Sequence, residues 1–320
     1  MGFSEPGDLL ESIFKGDVRS LARAITRVEN RTADGSELLR RAYPHTGNSR
    51  ILGITGSPGS GKSTLVDRLA AFYRRKNKTL AIVAVDPSSP FSGGAVLGDR
   101  IRMSALATDP GVFIRSMATR GHLGGLASAT ADVVSVLDAA SRDPILVETV
   151  GVGQDEIDIV KLADVSVVVL VPGMGDDIQA LKAGIMEIGD VFVINKCDRP
   201  GVENMERAVQ SLLSLAHRPD GWIPPIVKTI ATEDRGIEEL AESIDKSYEH
   251  SQTTSLRMEK RRDAARQRLL NLLRERLVQK AIETAFPGDG IERLIDRIAR
   301  RETDPYTIVE SLVRGTRFES

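Results

Sequence analysis

"ILGITGSPGSGKSTL", Ile51 to Leu65, decides the fold. Ile51 to Thr55 is a short apolar strand, Gly56 to Gly61 is a glycine-rich turn, and a helix is expected from Ser63 to Tyr73. The turn matches G-x-x-x-x-G-K-[ST], and its place between a strand and a helix separates it from a chance match. Glycines let backbone N–H groups turn inward around phosphate oxygens, a lysine adds a point charge near the β and γ phosphates, and a hydroxyl reaches Mg²⁺. The candidate phosphate-binding residues are therefore Gly56, Ser57, Pro58, Gly59, Ser60, Gly61, Lys62, Ser63 and Thr64. A ligand-free glycine turn is the plainer alternative, and the flanking elements weigh against it.

Outward from this segment the texture repeats. "LAIVAVD", "VFIRS", "ILVET", "VSVVVLV", "VFVIN" and "PIVKT" are short runs rich in β-branched residues, separated by polar helical stretches. Strands that are apolar at nearly every position and alternate with helices predict an α/β fold with a mostly parallel sheet covered on both faces. The spacing sets this domain at residues 48–250. Before it, residues 1–47 read as a helical extension: Val18, Leu21, Ala22, Ile25 and Val28 share a face, Asp17 is a candidate N-cap, and Asn30 to Gly35 reads as a break. After it, residues 251–320 open with a polar linker, Ser251 to Ser255, and continue as a basic helix with Leu270, Leu273, Leu277 and Ala281 on one face. "PGDG", Pro287 to Gly290, ends that helix, and another is expected from about Ile291. The wide apolar stripe suits either the chain's own domain or a second subunit.

Composition narrows the classes. With 320 residues and 41% hydrophobic content the chain has room for a large core, and 43 basic against 45 acidic residues leave a net charge of -2. No overall field draws it to nucleic acid or to an anionic membrane. One cysteine, Cys197, excludes an internal disulfide and suits a reducing cytoplasm, while the apolar run Val165 to Val171 is far shorter than the roughly 20 residues needed to cross a bilayer. Met1 to Gly16 carries acids where a secretion signal has a basic start. The reading is a cytoplasmic protein.

"NKCD", Asn195 to Asp198, closes the strand "VFVIN" and addresses the base. A carboxylate at Asp198 can accept both N1–H and N2–H of guanine, whereas adenine has no N1–H and would leave it unpaired. The phosphate loop and this turn together point to GTP and GDP, with Asn195, Lys196 and Asp198 on the base side and Thr229, Ile230 and Ala231 at a strand end where a backbone N–H can reach guanine O6. Glu148 stands at another strand end with Gly151 three residues on and Gln154 a further three. The spacing resembles that of small GTPases, in which a carboxylate at this strand end is linked to the metal and the glycine three residues on gives its N–H to the γ-phosphate. Gln154 is not adjacent to Gly151, so a water-orienting role and a plain polar loop residue stay equally open. Asp86 and Asp99 flank the loop "VDPSSPFSGGAVLGDR" and can converge on Mg²⁺, giving Ser63, Asp86, Asp99 and Glu148 as the candidate metal set. "PGMGDDIQALKAG", Pro172 to Gly184, clusters Asp176, Asp177, Gln179 and Lys182 after a strand, either as a helix entry or as a loop that reports nucleotide state to a partner. "RGHLGG", Arg120 to Gly125, is a basic loop whose His122 reads as a surface or hinge residue.

These blocks together resemble the MeaB / methylmalonic aciduria type A (ArgK-like) family of metallochaperone-type P-loop GTPases. The resemblance runs from about Asp17 to the C-terminus, and is densest in "TGSPGSGKSTL", "DPSSPFSGGAVLGDRIRM", "ATRGHLGGLA", "ETVGVGQDE", "PGMGDDIQALKAGIMEIGD" and "NKCDRPG". It implies the SIMIBI class of P-loop NTPase and a slow, partner-stimulated GTP hydrolysis. It also implies a chaperone of an adenosylcobalamin-dependent acyl-CoA mutase, typically methylmalonyl-CoA mutase, and a homodimer built through the C-terminal arm. By the same carry-over Lys62, Ser63, Asp86, Asp99 and Glu148 line the phosphate and magnesium site, and the loop holding Lys182 couples partner contact to hydrolysis, so that Lys62, Glu148, Asp99 and Lys182 are the expected catalytic group. Competing readings are a P-loop ATPase or kinase linked to lysine/arginine/ornithine transport, a nickel-insertion GTPase, and a scaffold that binds GDP without turnover.

Overall fold

The computed structural model describes residues 5–86, 106, 108–118, 125–149, 162–173, 189–215, 218, 221–254, 256–286 and 290–315. Asp99, His122, Gly151, Gln154, Asp176, Asp177, Gln179 and Lys182 lie outside them, and of Asp86 only the backbone is described. The chain divides into two compact units, Met1–Ala264 and Ala265–Ser320.

Seven described strands form the sheet of the first unit: β1 (Ile51–Gly56), β2 (Leu80–Asp86), β3 (Val112–Ala118), β4 (Ile145–Glu148), β5 (Val165–Leu170), β6 (Val191–Asn195) and β7 (Ile226–Thr229). Their order is β3-β2-β4-β1-β5-β6-β7, and every neighbouring pair is parallel. The expected sheet is thus wholly parallel among the described strands. Strands two to four lie on one side of β1 and strands five to seven on the other. In such doubly wound sheets ligands bind beyond the carboxyl ends of the strands where the winding reverses. Here that point is the end of β1.

Alternate side chains of each strand feed opposite layers. Leu80 and Ile82 of β2, with Val165, Val167 and Val169 of β5, pack under α4 (Lys62–Arg75), which supplies Leu65, Val66 and Leu69. On the other face Ala81, Val83 and Val85 of β2 meet α1 (Pro6–Phe14), α2 (Val18–Glu29), α3 (Ala33–Ala42) and α5 (Gly125–Ala139). Phe192 and Ile194 of β6 complete this face with α6 (Val202–Leu215), through Met205 and Val209. The fully buried Leu and Ile side chains each contribute roughly 1.5–3 kcal/mol, so the sheet and its two layers dominate the fold's stability.

The N-terminal segment is helical. Asp17 does cap α2, accepting from the N–H groups of Arg19 at 3.2 Å and Ser20 at 3.1 Å. The expected break at residues 30–35 is shorter, because Thr32 caps α3 by accepting from Gly35 N at 3.0 Å. α1, α2 and α3 bury Leu10, Ile25 and Leu38 in the same core as the sheet.

α7 (Ile237–Thr253) lies in the first layer through Leu240 and Ile244, and runs into the expected linker. α8 (Leu256–Ala285) follows at once. Its first turns are bound to the first unit, with Lys260 Nζ 3.1 Å from Asp190 Oδ2 and an Arg261 guanidinium nitrogen donating to the Gly47 carbonyl at 2.9 Å. The first compact unit runs to Ala264. The second unit carries the rest of α8, α9 (Gly290–Ala299) and α10 (Pro305–Gly315), with Leu269, Leu273, Leu277, Ile295, Val309 and Val313 exposed. No described helix is long and apolar enough to cross a membrane.

Three aspartates fix the starts of the central strands. Asp138, buried at the end of α5, accepts from the N–H groups of Gly47 at 2.5 Å, Asn48 at 3.2 Å and Ser49 at 2.9 Å. Asp164 accepts from Ile51 N at 3.0 Å, and Asp190 from Ser166 N at 3.0 Å. Burial pushes the Asp164 carboxyl above its ordinary range, opposed by the Ile51 N–H and by Arg257. Asp138→Ala removes an acceptor from three backbone donors, of which that of Ser49 is fully buried and costs about 1–3 kcal/mol when left unmade, while the part-buried Gly47 and Asn48 donors cost less. We expect a loss of about 2–4 kcal/mol in urea unfolding, and a change below about 0.5 kcal/mol would show that the entry to β1 does not depend on this carboxylate.

Candidate functional site

The phosphate loop leaves β1 at Gly56 in a conformation that only glycine adopts freely. Gly56, Gly59 and Gly61 have φ of 146°, 78° and 92°, and side chains with a Cβ rarely enter that region. Space is limiting too: a Cβ on Gly56 would sit 2.2 Å from the Val169 carbonyl oxygen of β5, and one on Gly61 would sit 2.4 Å from Asn195 Nδ2. Lys62 opens α4, one residue before the expected start, and is buried. Its ammonium donates to the carbonyls of Gly56 at 2.6 Å and Ser57 at 3.0 Å. The lysine of the motif is thus held inside its own loop.

Asn195 and Lys196 embrace that loop from outside. Asn195 Nδ2 donates to the Ser60 carbonyl at 2.9 Å, and Lys196 Nζ donates to the Gly59 carbonyl at 2.7 Å. On its other side Asn195 Oδ1 accepts from Thr229 Oγ1 at 3.0 Å and from the Ala231 N–H at 3.2 Å. Residues 135 positions apart in sequence therefore meet at one end of the sheet. Cys197 N donates to the Thr229 carbonyl at 3.1 Å, which holds the turn that carries the exposed Asp198. The Cys197 thiol donates to the Ile194 carbonyl at 2.9 Å, and burial pushes its pKa up.

In the base-side segment the Ile230 N–H donates to Arg235 O at 3.1 Å and that of Ala231 to Asn195 Oδ1 at 3.2 Å. The hydroxyl of Thr229 is likewise spent inside the protein. These residues brace the site in this structure.

Glu148 ends β4 opposite Ile54 of β1, and Thr149 N extends that ladder by donating to the Ile54 carbonyl at 3.0 Å. This delivers the buried Glu148 carboxylate to the start of α4, where Ser63 Oγ donates to its Oε1 at 2.6 Å. A hydroxyl and a carboxylate side by side are hard oxygen donors of the kind Mg²⁺ takes, so Ser63 and Glu148 fit the group and would hold it. Asp86 ends β2, whose Ala84 pairs with Glu148, so its backbone lies two residues further toward the same end of the sheet. The sequence places Ser63 and Glu148 in one candidate metal set, and the β1–β4 register brings the two side chains into contact. Asp138, Asp164 and Asp190 carry no motif signal at all, since a lone aspartate before a strand is common.

A family model described as "Methylmalonyl Co-A mutase-associated GTPase MeaB" matches residues 21–300. The chain belongs to the MeaB family. This member is 47% identical over 310 residues to a putative GTPase of Pyrococcus abyssi, covering 96% of this chain and 95% of that one. It is 36% identical over 296 residues to the GTPase ArgK of Escherichia coli, covering 89% of this chain and 88% of the relative. The crystal structure of an LAO/AO transport system kinase superposes with a TM-score of 0.70 at 25% identity, covering 98% of both chains.

The close fit at Gly61 yields a test. Gly61→Ala forces either a strained φ or the withdrawal of Asn195, a cost of about 1–3 kcal/mol. Nucleotide affinity measured with a fluorescent GDP analogue should fall roughly 5- to 150-fold; wild-type affinity would show that the Asn195 contact does not shape the loop.

Proposed function

We propose that this MeaB-family GTPase binds GTP and GDP with Mg²⁺ at the carboxyl end of β1, hydrolyses GTP slowly on its own, and serves an adenosylcobalamin-dependent acyl-CoA mutase as a chaperone for its cofactor. One observation supports the nucleotide part of the reading: Asn195 and Lys196 donate to the carbonyls of Ser60 and Gly59, which ties the glycine loop to the turn that carries Asp198. In this reading the cradle N–H groups and Lys62 bind the phosphates, and Asp198 accepts the guanine N1–H and N2–H. Ser63 and Glu148, with Asp86 and Asp99, hold Mg²⁺, which when bound neutralises charge on the phosphates. Gly151 gives its N–H to the γ-phosphate.

The partner part rests on the family description, which names a methylmalonyl-CoA mutase association. The loop from Pro172 to Gly184, with Lys182, couples mutase contact to hydrolysis. The exposed apolar residues Leu269, Leu273 and Leu277 of α8 support a homodimer through residues 251–320. The single cysteine suits work in the cytoplasm. A second reading, an ATP-dependent transport kinase, is favoured only by the likeness to the LAO/AO transport system kinase, and the acceptor-only carboxylate of Asp198 disfavours ATP.

Two measurements test this. Asp198→Ala should weaken GTP binding by about 10- to 100-fold through loss of a two-point charge-assisted contact and leave ATP binding unchanged; an unaltered GTP-to-ATP affinity ratio would remove the guanine assignment and leave the kinase reading. Lys62→Ala should lower single-turnover phosphate release by at least about 100-fold, and retained turnover would contradict the cradle.

A further inference from the structure

We propose that the Thr229 hydroxyl is a positioning group that couples the base-side segment to the phosphate loop, by holding the Asn195 amide in the orientation that the Ala231 N–H selects. The proposal rests on the nucleotide reading of the site and adds a residue to its machinery. A primary amide has two faces of nearly equal shape, one accepting and one donating, and only its neighbours choose between them. At Asn195 the choice is forced from one side. The Ala231 N–H can only donate, so the atom facing it at 3.2 Å is the oxygen. The Thr229 hydroxyl can donate or accept, and with the oxygen turned its way it donates at 3.0 Å. Both bonds aim the NH₂ group at the Ser60 carbonyl, 2.9 Å away. The reverse orientation would set two donors against each other on one side and two acceptors on the other.

Burial makes the choice matter. Thr229 is 1% exposed, Asn195 2% and Ser60 0%, so no bulk water can replace a lost partner, and an unmade bond there carries its full desolvation cost. Ser60 is the residue before Gly61, whose left-handed backbone already leaves no space for a Cβ beside Asn195 Nδ2. An amide held firmly in place thus supports the outer turn of the cradle, and the Thr229 hydroxyl supplies the side-chain bond that holds it. The hydroxyl does this without setting the backbone. Thr229 lies opposite Asn195 in the β6–β7 register, and its carbonyl accepts from Cys197 N. A substitution can therefore remove the hydroxyl and leave the strand pairing in place.

Thr229→Val keeps the β-branched shape, Thr229→Ala removes the hydroxyl without adding a methyl, and Thr229→Ser keeps the hydroxyl. Three readouts on the full chain apply to all of them: hydrogen exchange of the Gly59–Lys62 amides with β2 as reference, affinity for a fluorescent GDP analogue, and displacement of that analogue by inorganic pyrophosphate, which has no base. Thr229→Val and Thr229→Ala should speed phosphate-loop exchange about tenfold while β2 stays unchanged, and should weaken both GDP and pyrophosphate binding by about 5- to 20-fold, the loss expected for one buried hydrogen bond. Thr229→Ser should match the wild type in all three. Unchanged phosphate-loop exchange in both hydroxyl-free variants, or a serine variant as impaired as they are, would overturn the coupling. If those variants are silent while Asp198→Ala still weakens GDP binding, only the coupling fails and the guanine pocket stands; if Asp198→Ala is silent as well, the nucleotide reading fails with it.

Discussion

The site depends on holding a stretch of backbone open. Gly56, Gly59 and Gly61 take left-handed or similarly rare φ values, and a loop of that kind cannot satisfy its own polar groups by helix or sheet pairing. Its carbonyls are satisfied by side chains instead, those of Lys62, Asn195 and Lys196. With these carbonyls drawn to the cations and the amide, and the Ser60 N–H donating to the Ser57 carbonyl at 3.1 Å, the loop keeps its open shape without sheet or helix pairing. The shape of the loop is thus a consequence of where its carbonyls are bonded, and its two sides belong to one arrangement.

The opposite end of the sheet solves a related problem with carboxylates. Parallel strands begin with N–H groups that no neighbour reaches. Asp138 and Asp164 accept them at the entry to β1, and Asp190 accepts one from β5. Asp164 and Asp190 also meet cations of α8: Arg257 Nε lies 3.5 Å from Asp164 Oδ1, and Lys260 Nζ lies 3.1 Å from Asp190 Oδ2. The same side chains that align the central strands therefore seat the first turns of the C-terminal helix. This explains why the compact unit extends past the polar segment at residues 251–255.

Much of the fold is legible in sequence because its signals are local. Seven apolar runs became seven strands, and Asp17 caps α2 as its spacing before Val18 predicts. The N-terminal segment is harder to read. Residues 30–35 look like a break, since asparagine, threonine and glycine favour turns, but Thr32 uses the same chemistry to start a helix. The placement of α1 to α3 against β2 and β3 has no sequence signature, since an apolar helical face does not name the surface it covers. In the site the motif residues from Gly56 to Thr64 and from Asn195 to Asp198 announce themselves, whereas the bracing role of Thr229 and Ala231 does not.

By itself the sequence determined the chemistry of the parts: a glycine loop that can expose N–H groups, a lysine and hydroxyl behind it, an acid at one strand end and an acid-bearing turn at another. Those properties reside in residue type and short spacing, which survive without a fold. Tertiary structure alone decided which parts touch. Ser63 meets Glu148 because β1 pairs with β4, and Asn195 meets Ser60 because β6 reaches the same end of the sheet as β1. Contacts between residues 85 and 135 positions apart are set by strand order and register, and these follow from packing the whole sheet between its helices rather than from any segment of the chain.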